Sequence, residues 1–302
     1  MTSGFPTKDK IVVITGGGSG IGCAYVQKAR SQGARAVIIA DLRLTADARK
    51  IVDSDDKVIF QETDVTKWAD LQRLIDTSVS TLGDIPDIFV ACAGVFEPVR
   101  CMKPYSNFWD DPEPLEANGY AQVDINVNHP IKLTRLAMRA VLGKKKPAVV
   151  AIVGSIAGYS KQYVAPIYSA TKHAVVGFTR SMGDAEKLQG LKVVCVCPGI
   201  TMTPIWTTGA PGSGERFGVT SQIATTADAV ANAINEAVES AKYPGGSIVE
   251  ISNLGIRSIP EWHIDPPGMV DGKMAEGTDV PPDMVQKALG PILVVTAKER
   301  GD

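Results

Sequence analysis

The chain alternates between short apolar runs and longer segments in which apolar residues recur at helical spacing. Seven runs of four to six residues, rich in Val, Ile and Ala, have the length and composition of buried strands. They cover residues 11–15, 36–40, 57–61, 88–91, 148–153, 192–196 and 247–251. Helices are predicted between them at residues 21–31, 45–53, 67–82, 116–142, 167–188 and 226–241.

This regular alternation predicts an α/β fold, a doubly wound parallel sheet of seven strands with helices on both faces. Residues 1–252 are predicted to form a single domain. Residues 253–302 are a C-terminal extension in which proline recurs from Pro260 to Pro291, which argues against another helix–strand unit. Because the extension also carries Trp262 and the apolar run 292–295, we expect it to pack on the body or on a neighbouring subunit.

Two long connections interrupt the alternation, residues 95–118 after the fourth strand and residues 199–224 after the sixth. Long loops in compact domains tend to be functional, and the loops that follow the carboxyl ends of parallel strands border the ligand crevice. We expect both connections to form substrate walls or lids. The alternative is that they pack on the surface or between subunits.

A glycine-rich turn joins the first strand to the first helix. Gly16, Gly20 and Gly22 have the spacing G-x-x-x-G-x-G. Such a turn places a helix N-terminus against a phosphate: the first glycine permits the tight turn, the second lets a pyrophosphate approach, and the third allows helix and strand to pack closely. A turn without any ligand is the alternative interpretation.

Asp41 follows the second strand, 19 residues after Gly22. A carboxylate at this place in a dinucleotide-binding fold accepts hydrogen bonds from the adenosine ribose and repels a 2′-phosphate. No Arg or Lys lies in the glycine turn to offset that repulsion. The sequence therefore predicts NAD rather than NADP, with Arg43 as the one nearby residue that would favour NADP.

Ser155, Tyr168 and Lys172 form the second candidate constellation. Tyr168 and Lys172 are four residues apart on a predicted helix, so their side chains share a face. An ammonium beside a phenol favours the phenolate, which can act as a general base. Ser155 follows the fifth strand and could hydrogen-bond a reacting oxygen. An exposed amphipathic pair is the alternative for the Tyr and Lys taken alone.

Taken together, residues 15–22, Ser155, Tyr168 and Lys172 resemble the short-chain dehydrogenase/reductase family, in its single-domain, NAD-preferring form with a Rossmann fold. The resemblance covers about residues 8–252. It implies that Tyr168 transfers the proton, that Lys172 binds the nicotinamide ribose, and that Ser155 positions the substrate oxygen. It also implies that Asn126 holds a water in a proton relay, with Asn128 as a poorer match.

The resemblance also implies a set of cofactor contacts. Asp64 and Val65 match a pair beside the adenine, and the stretch from Pro198 to Thr203 matches one that folds over the nicotinamide. The full implied set is Thr15, Gly16, Ser19, Gly20, Ile21, Gly22, Asp41, Asp64, Val65, Ala93, Gly94, Tyr168, Lys172, Pro198, Gly199 and Thr203. The chain departs from the family at residues 91–94, where Ala-Cys-Ala-Gly replaces Asn-Asn-Ala-Gly, which predicts weaker local bracing of the sheet.

Aromatic residues in the long connections and near Tyr168 predict an apolar, fairly bulky alcohol or ketone as substrate. Four of them are predicted to contact it: Phe96, Trp109, Tyr163 and Trp206. The connection 95–118 resembles that of relatives of 15-hydroxyprostaglandin dehydrogenase, including fungal-looking members, which implies lipid-like or polycyclic secondary alcohols. Two other interpretations stay open, an NADPH-dependent ketoreductase and a cofactor-binding member repurposed as a scaffold or cyclase.

Charge and cysteine content narrow the remaining classes. A formal net charge of −2 gives no reason to expect nucleic acid or a membrane surface as partner. The five cysteines form no C-x-x-C and the three histidines show no ligand spacing, so no metal is expected and the thiols are expected to be reduced. We expect a cytoplasmic enzyme. The family resemblance implies a homodimer or homotetramer assembled through the helices at 116–142 and 167–188.

Overall fold

The centre of the molecule is an eight-stranded sheet with helices on both faces. The structure is a computed structural model, and it describes residues 4–97, 107–111, 115–206, 208, 212–261, 269–270, 273–274 and 284–302. The strands of the main sheet are β1 Ile11–Thr15, β2 Ala36–Asp41, β3 Val58–Glu62, β4 Ile88–Ala91, β5 Ala148–Val153, β6 Leu191–Pro198, β7 Ile248–Ser252 and β8 Gly255–Ser258. Their order across the sheet is β8-β7-β6-β5-β4-β1-β2-β3.

Helices follow most of the strands and return the chain to the end of the sheet at which the parallel strands begin. They are α1 Gly20–Ser31, α2 Ala46–Ser54, α3 Trp68–Leu82, α4 His129–Lys144, α5 Pro166–Ser181, α6 Ala185–Gln189, α7 Ser213–Arg216, α8 Ala227–Glu239 and α9 Met284–Arg300. Shorter elements are helical turns at Leu115–Ala117, Ala121–Val123, Asp124–Asn128, Ile156–Gly158 and Pro204–Trp206, and strand pairs Thr201–Met202 with Thr225–Thr226 and Met269–Val270 with Lys273–Met274.

The sheet is buried on both faces, which explains why its strands are continuous apolar runs rather than alternating ones. Ile14 on β1 belongs to the core under α1 and α8. Its neighbour Val13 belongs to the core under α3, α4 and α5. Because successive side chains of a strand point to opposite faces, each strand supplies both cores.

The predicted seven-stranded parallel sheet is confirmed and has one more strand. The pairs from β3 across to β7 are all parallel. β8 returns antiparallel to β7 through a two-residue turn at Asn253 and Leu254. Gly255 has φ +109°, which a side chain would disfavour. All four residues of β8 are exposed, so the strand lacks the apolar run by which the others were predicted.

The single helix predicted at 116–142 is divided. A wide helical turn of π type at Asp124–Asn128 precedes α4. Pro130 has no N–H to donate to the carbonyl of Asn126, which removes one ordinary helical hydrogen bond at this point. The helix predicted at 167–188 is also divided, into α5 and α6.

The C-terminal extension contains the helix α9 despite its prolines, and one of them, Pro291, lies inside this helix. The end of α9 lies against α4, where Arg135 donates to Glu299 at 3.1 Å. Lys145 contacts Asp302 at 2.8 Å. The division at residue 252 and the oligomeric state stay predictions. Among the described residues, no helix has both the length and the apolar character that crossing a bilayer requires.

Candidate active site

The carboxyl ends of β4, β5 and β6 open into a cleft of ≈ 220 Å³. The N-terminal part of α5 and the connection after β6 complete its walls. Ligands of open parallel sheets bind at this edge, beside the point where the strand order reverses. Ten of the residues predicted from sequence line the cleft: Ile21, Gly94, Phe96, Ser155, Tyr168, Lys172, Pro198, Gly199, Thr203 and Trp206.

The glycine turn has the backbone that its sequence predicted. Gly16 and Gly20 have φ +69° and +50°. A side chain at Gly22 would overlap the carbonyl of Gly16, so helix and strand pack here without room for a Cβ. A Cβ at Gly20 would lie 3.3 Å from Thr203, which places the connection after β6 opposite the turn.

The start of α1 offers unused hydrogen-bond donors. Ser19 precedes the helix, and its side chain makes no capping bond. The first amide groups of a helix have no partner within the helix, and its dipole favours an anion there. The turn therefore fits the pyrophosphate of a dinucleotide, and the predicted cofactor contacts of Ser19 and Thr203 stay predictions.

Asp41 is fixed beside the glycine turn. Its Oδ2 accepts the Gly18 N–H at 2.9 Å, and its Oδ1 accepts the Arg43 N–H at 3.4 Å. The carboxylate lies at the carboxyl end of β2, where the sequence predicted a ribose ligand. Asp64 is held by its own turn, since it accepts both the N–H and the hydroxyl of Thr66.

Burial acts to raise the pKa of the Asp64 carboxyl, but hydrogen bonds from Thr66 and Lys67 outweigh it and hold the pKa below its ordinary value. The carboxylate is thus charged at neutral pH. Its contact with adenine and that of Val65 stay predictions.

Thr15 supplies bracing that the departure at residues 91–94 was expected to remove. Its hydroxyl donates to the Val90 carbonyl at 3.3 Å and accepts the Cys92 N–H at 3.1 Å. It also lies 3.4 Å from the Ala93 nitrogen. A threonine on β1 therefore ties the end of β4 to the sheet without the asparagines.

Ser155, Tyr168 and Lys172 all face the same cleft. Lys172 is only 5% exposed; its Nζ donates to the Val153 carbonyl at 2.9 Å and lies 5.5 Å from the centre of the Tyr168 ring. Ser155 Oγ accepts the Ala157 N–H at 3.1 Å, which leaves its own proton free to donate. The Ser155 and Tyr168 hydroxyls and the Lys172 ammonium therefore lie in one cleft.

Asn126 braces the site through its side chain. Its amide bonds the Val95 N–H and carbonyl, both at 2.9 Å, and donates to Thr171 at 3.2 Å. Asn126 therefore connects the loop after β4 to α5. The residue is 2% exposed, and its predicted role of holding a water in a proton relay stays a prediction.

His129 lies one turn beyond Ile125, and its Nδ1 is 3.1 Å from the Ile125 carbonyl oxygen. Nε2 has no partner among the described residues. Complete burial lowers the pKa of His129 to about 4, so the imidazole is neutral at working pH.

Aromatic side chains form one wall of the cleft. The centre of the Phe96 ring lies 4.7 Å from the ring centre of Tyr168, 5.1 Å from that of Trp206 and 5.5 Å from that of Phe217. The indole of Trp206 is oriented by a hydrogen bond to the Thr201 carbonyl at 3.0 Å. Phe217 lines the cleft with Phe96 and Trp206, although it was not among the predicted substrate contacts.

Trp109 and Tyr163 lie elsewhere. Their rings are 4.7 Å apart, and the Trp109 indole donates to the Tyr163 carbonyl at 3.2 Å. Their exposed fractions are 49% and 79%, and neither lines the cleft. A role in substrate binding stays a prediction for both.

Three described residues at the site carried no sequence signal that selected them. Gln162 lines the cleft, and Glu97 is a buried carboxylate in the loop after β4. Cys92 also lines it, but burial raises the pKa of its thiol to about 12, which excludes a thiolate nucleophile. Single polar residues in irregular loops have no periodic pattern that would reveal them.

The described cysteines are all free thiols: Cys23, Cys92, Cys195 and Cys197. Cys101 lies outside the described residues. Within the described part of the chain, no three His, Cys, Asp or Glu side chains are grouped as metal ligands. The expected absence of a metal stays a prediction.

A family model described as short chain dehydrogenase matches residues 10–212. The chain is 31% identical to L-fucose dehydrogenase of Mus musculus, over 65% of this chain and 67% of that protein. It is 32% identical to the short-chain dehydrogenase/reductase prx4 of Penicillium rubens, over 65% of this chain and 56% of that protein.

Among solved structures, a 3-ketoacyl-(acyl-carrier-protein) reductase from Brucella melitensis, complexed with NADH, has the same fold. Its TM-score is 0.66 at 23% identity, with 81% of this chain and 97% of that chain covered. The family match extends from β1 through the serine, tyrosine and lysine of the cleft. This chain therefore belongs to the short-chain dehydrogenase family, whose members are NAD(P)-dependent alcohol dehydrogenases and reductases.

Proposed function

We propose that this protein interconverts a bulky, apolar secondary alcohol and its ketone, with NAD as the preferred cofactor. One observation carries the proposal: Ser155, Tyr168 and Lys172 share a cleft with the aromatic wall of Phe96 and Trp206. Among the described residues that line this cleft, Lys172 is the one charged side chain.

In the oxidative direction, Tyr168 as phenolate accepts the proton of the substrate hydroxyl. The Ser155 hydroxyl donates to the same oxygen as it becomes a carbonyl. The Lys172 ammonium stabilises the phenolate and passes the proton toward water near Asn126. When bound, the nicotinamide supplies the hydride acceptor, and holding both reactants side by side removes much of the entropic barrier.

The choice of NAD rests on Asp41. The Gly18 N–H holds its carboxylate beside the glycine turn, where a ribose hydroxyl can donate to it. A 2′-phosphate at that point would meet a fixed negative charge. Arg43 is exposed and two residues away, so it could offset this repulsion only by approaching the same phosphate.

The choice of an apolar substrate rests on the wall rather than on the relatives. A sugar dehydrogenase is among the relatives, but the wall opposite Tyr168 consists of Phe96, Trp206 and Phe217. Aromatic and aliphatic walls favour flat or lipid-like molecules, with a few polar groups to orient them. Gln162 also lines the cleft, and its amide could provide one such contact.

The test combines cofactor titration with a panel of alcohols and ketones. We expect NADH to quench tryptophan fluorescence with at least tenfold higher affinity than NADPH, and bulky apolar alcohols to be oxidised. Tyr168→Phe should bind NADH within about twofold of wild type, yet lose about three orders of magnitude in kcat, or ~4 kcal/mol at the transition state.

Tyr243→Phe is the matched control, because Tyr243 is buried, bonds Glu236 and lies outside the cleft. Near-wild-type turnover by Tyr168→Phe would remove this tyrosine from the mechanism. Tighter binding of NADPH would favour the ketoreductase alternative. Cofactor binding without turnover on the whole panel would favour the scaffold or cyclase alternative.

A further inference from the structure

The loop after β4 buries a carboxylate that none of the roles described above uses. Glu97 is 2% exposed. Its Oε2 accepts the Tyr168 N–H at 3.0 Å, and its Oε1 accepts the Phe108 N–H at 3.2 Å. Its main-chain carbonyl oxygen lies 3.5 Å from the Ser213 hydroxyl, which donates to it. One residue therefore connects three segments that are distant in sequence.

The first of these segments is the start of the catalytic helix. The initial N–H groups of α5 lack partners within the helix, and the Glu97 carboxylate also receives a bond from the Ile167 N–H. A negative charge is favoured at this end of a helix dipole. Glu97 thus fixes the turn of α5 that carries Tyr168 itself.

The other two segments belong to the two long connections beside the cleft, although neither Phe108 nor Ser213 lines the cleft itself. Phe108 lies in the connection after β4, and Ser213 begins α7 in the connection after β6. Phe96 precedes Glu97 in the chain and packs edge-on against the Tyr168 ring, 4.7 Å between centres. Movement of Glu97 would therefore change the wall and the position of the tyrosine together.

The carboxylate is held there at a cost. Burial raises the pKa of Glu97 by more than the N–H bonds of Tyr168 and Phe108 and the charge of Arg216 lower it. Loss of such a buried acceptor costs stability wherever it occurs, because its N–H donors are left unsatisfied. The donors at Glu97 belong to the helix turn that carries Tyr168 and to the connection after β4, which indicates a role beyond stability.

We propose that Glu97 is a positioning residue, which holds Tyr168 and both substrate loops in the arrangement required for turnover. The proposal rests on the proposed function for its reaction, but the predicted coupling between the three segments can be measured without it. The hydrogen bonds of Glu97 involve neither the glycine turn nor the stretch from Pro198 to Thr203. Its loss should therefore lower turnover and substrate affinity, and leave cofactor affinity unchanged.

The principal variant is Glu97→Gln, which keeps the shape and one acceptor oxygen but replaces the other with an N–H group that cannot accept. We expect kcat/KM to fall at least tenfold, through both a lower kcat and a higher KM, while the NADH dissociation constant stays within about twofold. The acidic limb of the wild-type kcat/KM profile should flatten in the variant, since protonation of Glu97 removes the same acceptor.

The matched control is Asp87→Asn. Asp87 is also a buried carboxylate, 8% exposed, and it accepts the main-chain N–H of Ile11 at 2.9 Å. It lies at the amino end of β4, at the opposite end of the sheet from the cleft. This variant tests what loss of a buried acceptor does to the enzyme in general. We expect it to lower stability while leaving the shape of the pH profile and KM as in wild type.

A second measurement is independent of turnover. Hydrogen exchange of the Phe108 and Tyr168 amides should be at least tenfold faster in Glu97→Gln, and unchanged in Asp87→Asn. If no alcohol is oxidised by any variant, the proposed function fails while this exchange result still decides the coupling. Wild-type exchange, KM and pH profile in Glu97→Gln would overturn the proposal.

Ser213→Ala provides a milder break in the same connection if Glu97→Gln does not fold. It removes one donor to the Glu97 carbonyl and leaves the carboxylate in place. We expect a KM increase of about threefold with kcat near wild type. An unchanged KM, together with unchanged exchange at Phe108, would show that the α7 segment is not coupled to Glu97 and would count against the proposal.

Discussion

The two sides of the cleft are built from different materials. On the cofactor side, the main chain makes the surface, and the missing side chains of Gly16, Gly20 and Gly22 leave that main chain exposed to a ligand. On the substrate side, the side chains of Phe96 and Trp206 make the surface. A surface of backbone tolerates almost no added atom, whereas a surface of side chains can be reshaped by substitution.

The two sides also differ in how far apart in the sequence their hydrogen-bonded residues lie. The Asp41 carboxylate reaches Gly18, 23 residues away in the chain. Glu97 reaches Tyr168, 71 residues away, and Ser213, 116 residues away. Local bonds support a short motif that can be recognised, while the substrate wall depends on contacts that only the folded chain brings together.

The largest expected effect is on the backbone surface. Gly22→Ala should lower NADH affinity by two to three orders of magnitude, because its Cβ would overlap the carbonyl of Gly16 and displace the start of α1. Fluorescence titration and thermal unfolding measure the change. Gly143→Ala is the control, since a Cβ there meets only the Glu299 carbonyl at an ordinary 3.9 Å. NADH affinity equal to wild type in Gly22→Ala would refute the tight-packing role.

A smaller effect is expected at His129, which lies one helical turn beyond Ile125. Burial lowers the pKa of His129 to about 4, so the unfolded chain binds a proton more readily than the folded one. The stability that neutral His129 confers is fully present above pH ~6.5 and is lost as the pH falls toward ~4. At pH 5 wild type should lose about 2 kcal/mol more than His129→Gln, by linkage between these values.

Chemical denaturation of both proteins between pH 7.5 and pH 5 measures this difference. The comparison uses the slope with pH rather than the absolute stability, because the substitution itself changes packing. Parallel loss of stability in the two proteins would show that His129 is not the group responsible.

The smallest expected effect is on KM, and it distinguishes the aromatic group that lines the cleft from the one that lies outside it. Trp206→Ala should raise the KM for a bulky apolar substrate about tenfold, because Trp206 lines the cleft and contacts Phe96. Trp109→Ala should change KM less than twofold, because its ring stacks on exposed Tyr163 outside the cleft. Steady-state kinetics decide between them. An equal rise in KM for Trp109→Ala would restore the sequence-based prediction that this tryptophan contacts substrate.

Much of the fold could be predicted because its signals are local. Parallel strands buried on both faces are apolar throughout, and a turn such as 16–22 has a spacing that its backbone geometry requires. The seven parallel strands were predicted on this basis and are confirmed. β8 was missed because an exposed edge strand has no such pattern.

The sequence by itself determined the α/β layout, the glycine turn, and the pairing of Tyr168 with Lys172 on one helix face, because each depends on spacing along one strand, turn or helix. Tertiary structure alone decided that Trp206 lines the cleft while Trp109 does not, and that Thr15 braces the end of β4. It also decided that Glu97 joins three segments. Contacts between residues far apart in the chain leave no periodic trace, so they appear only when the chain has folded.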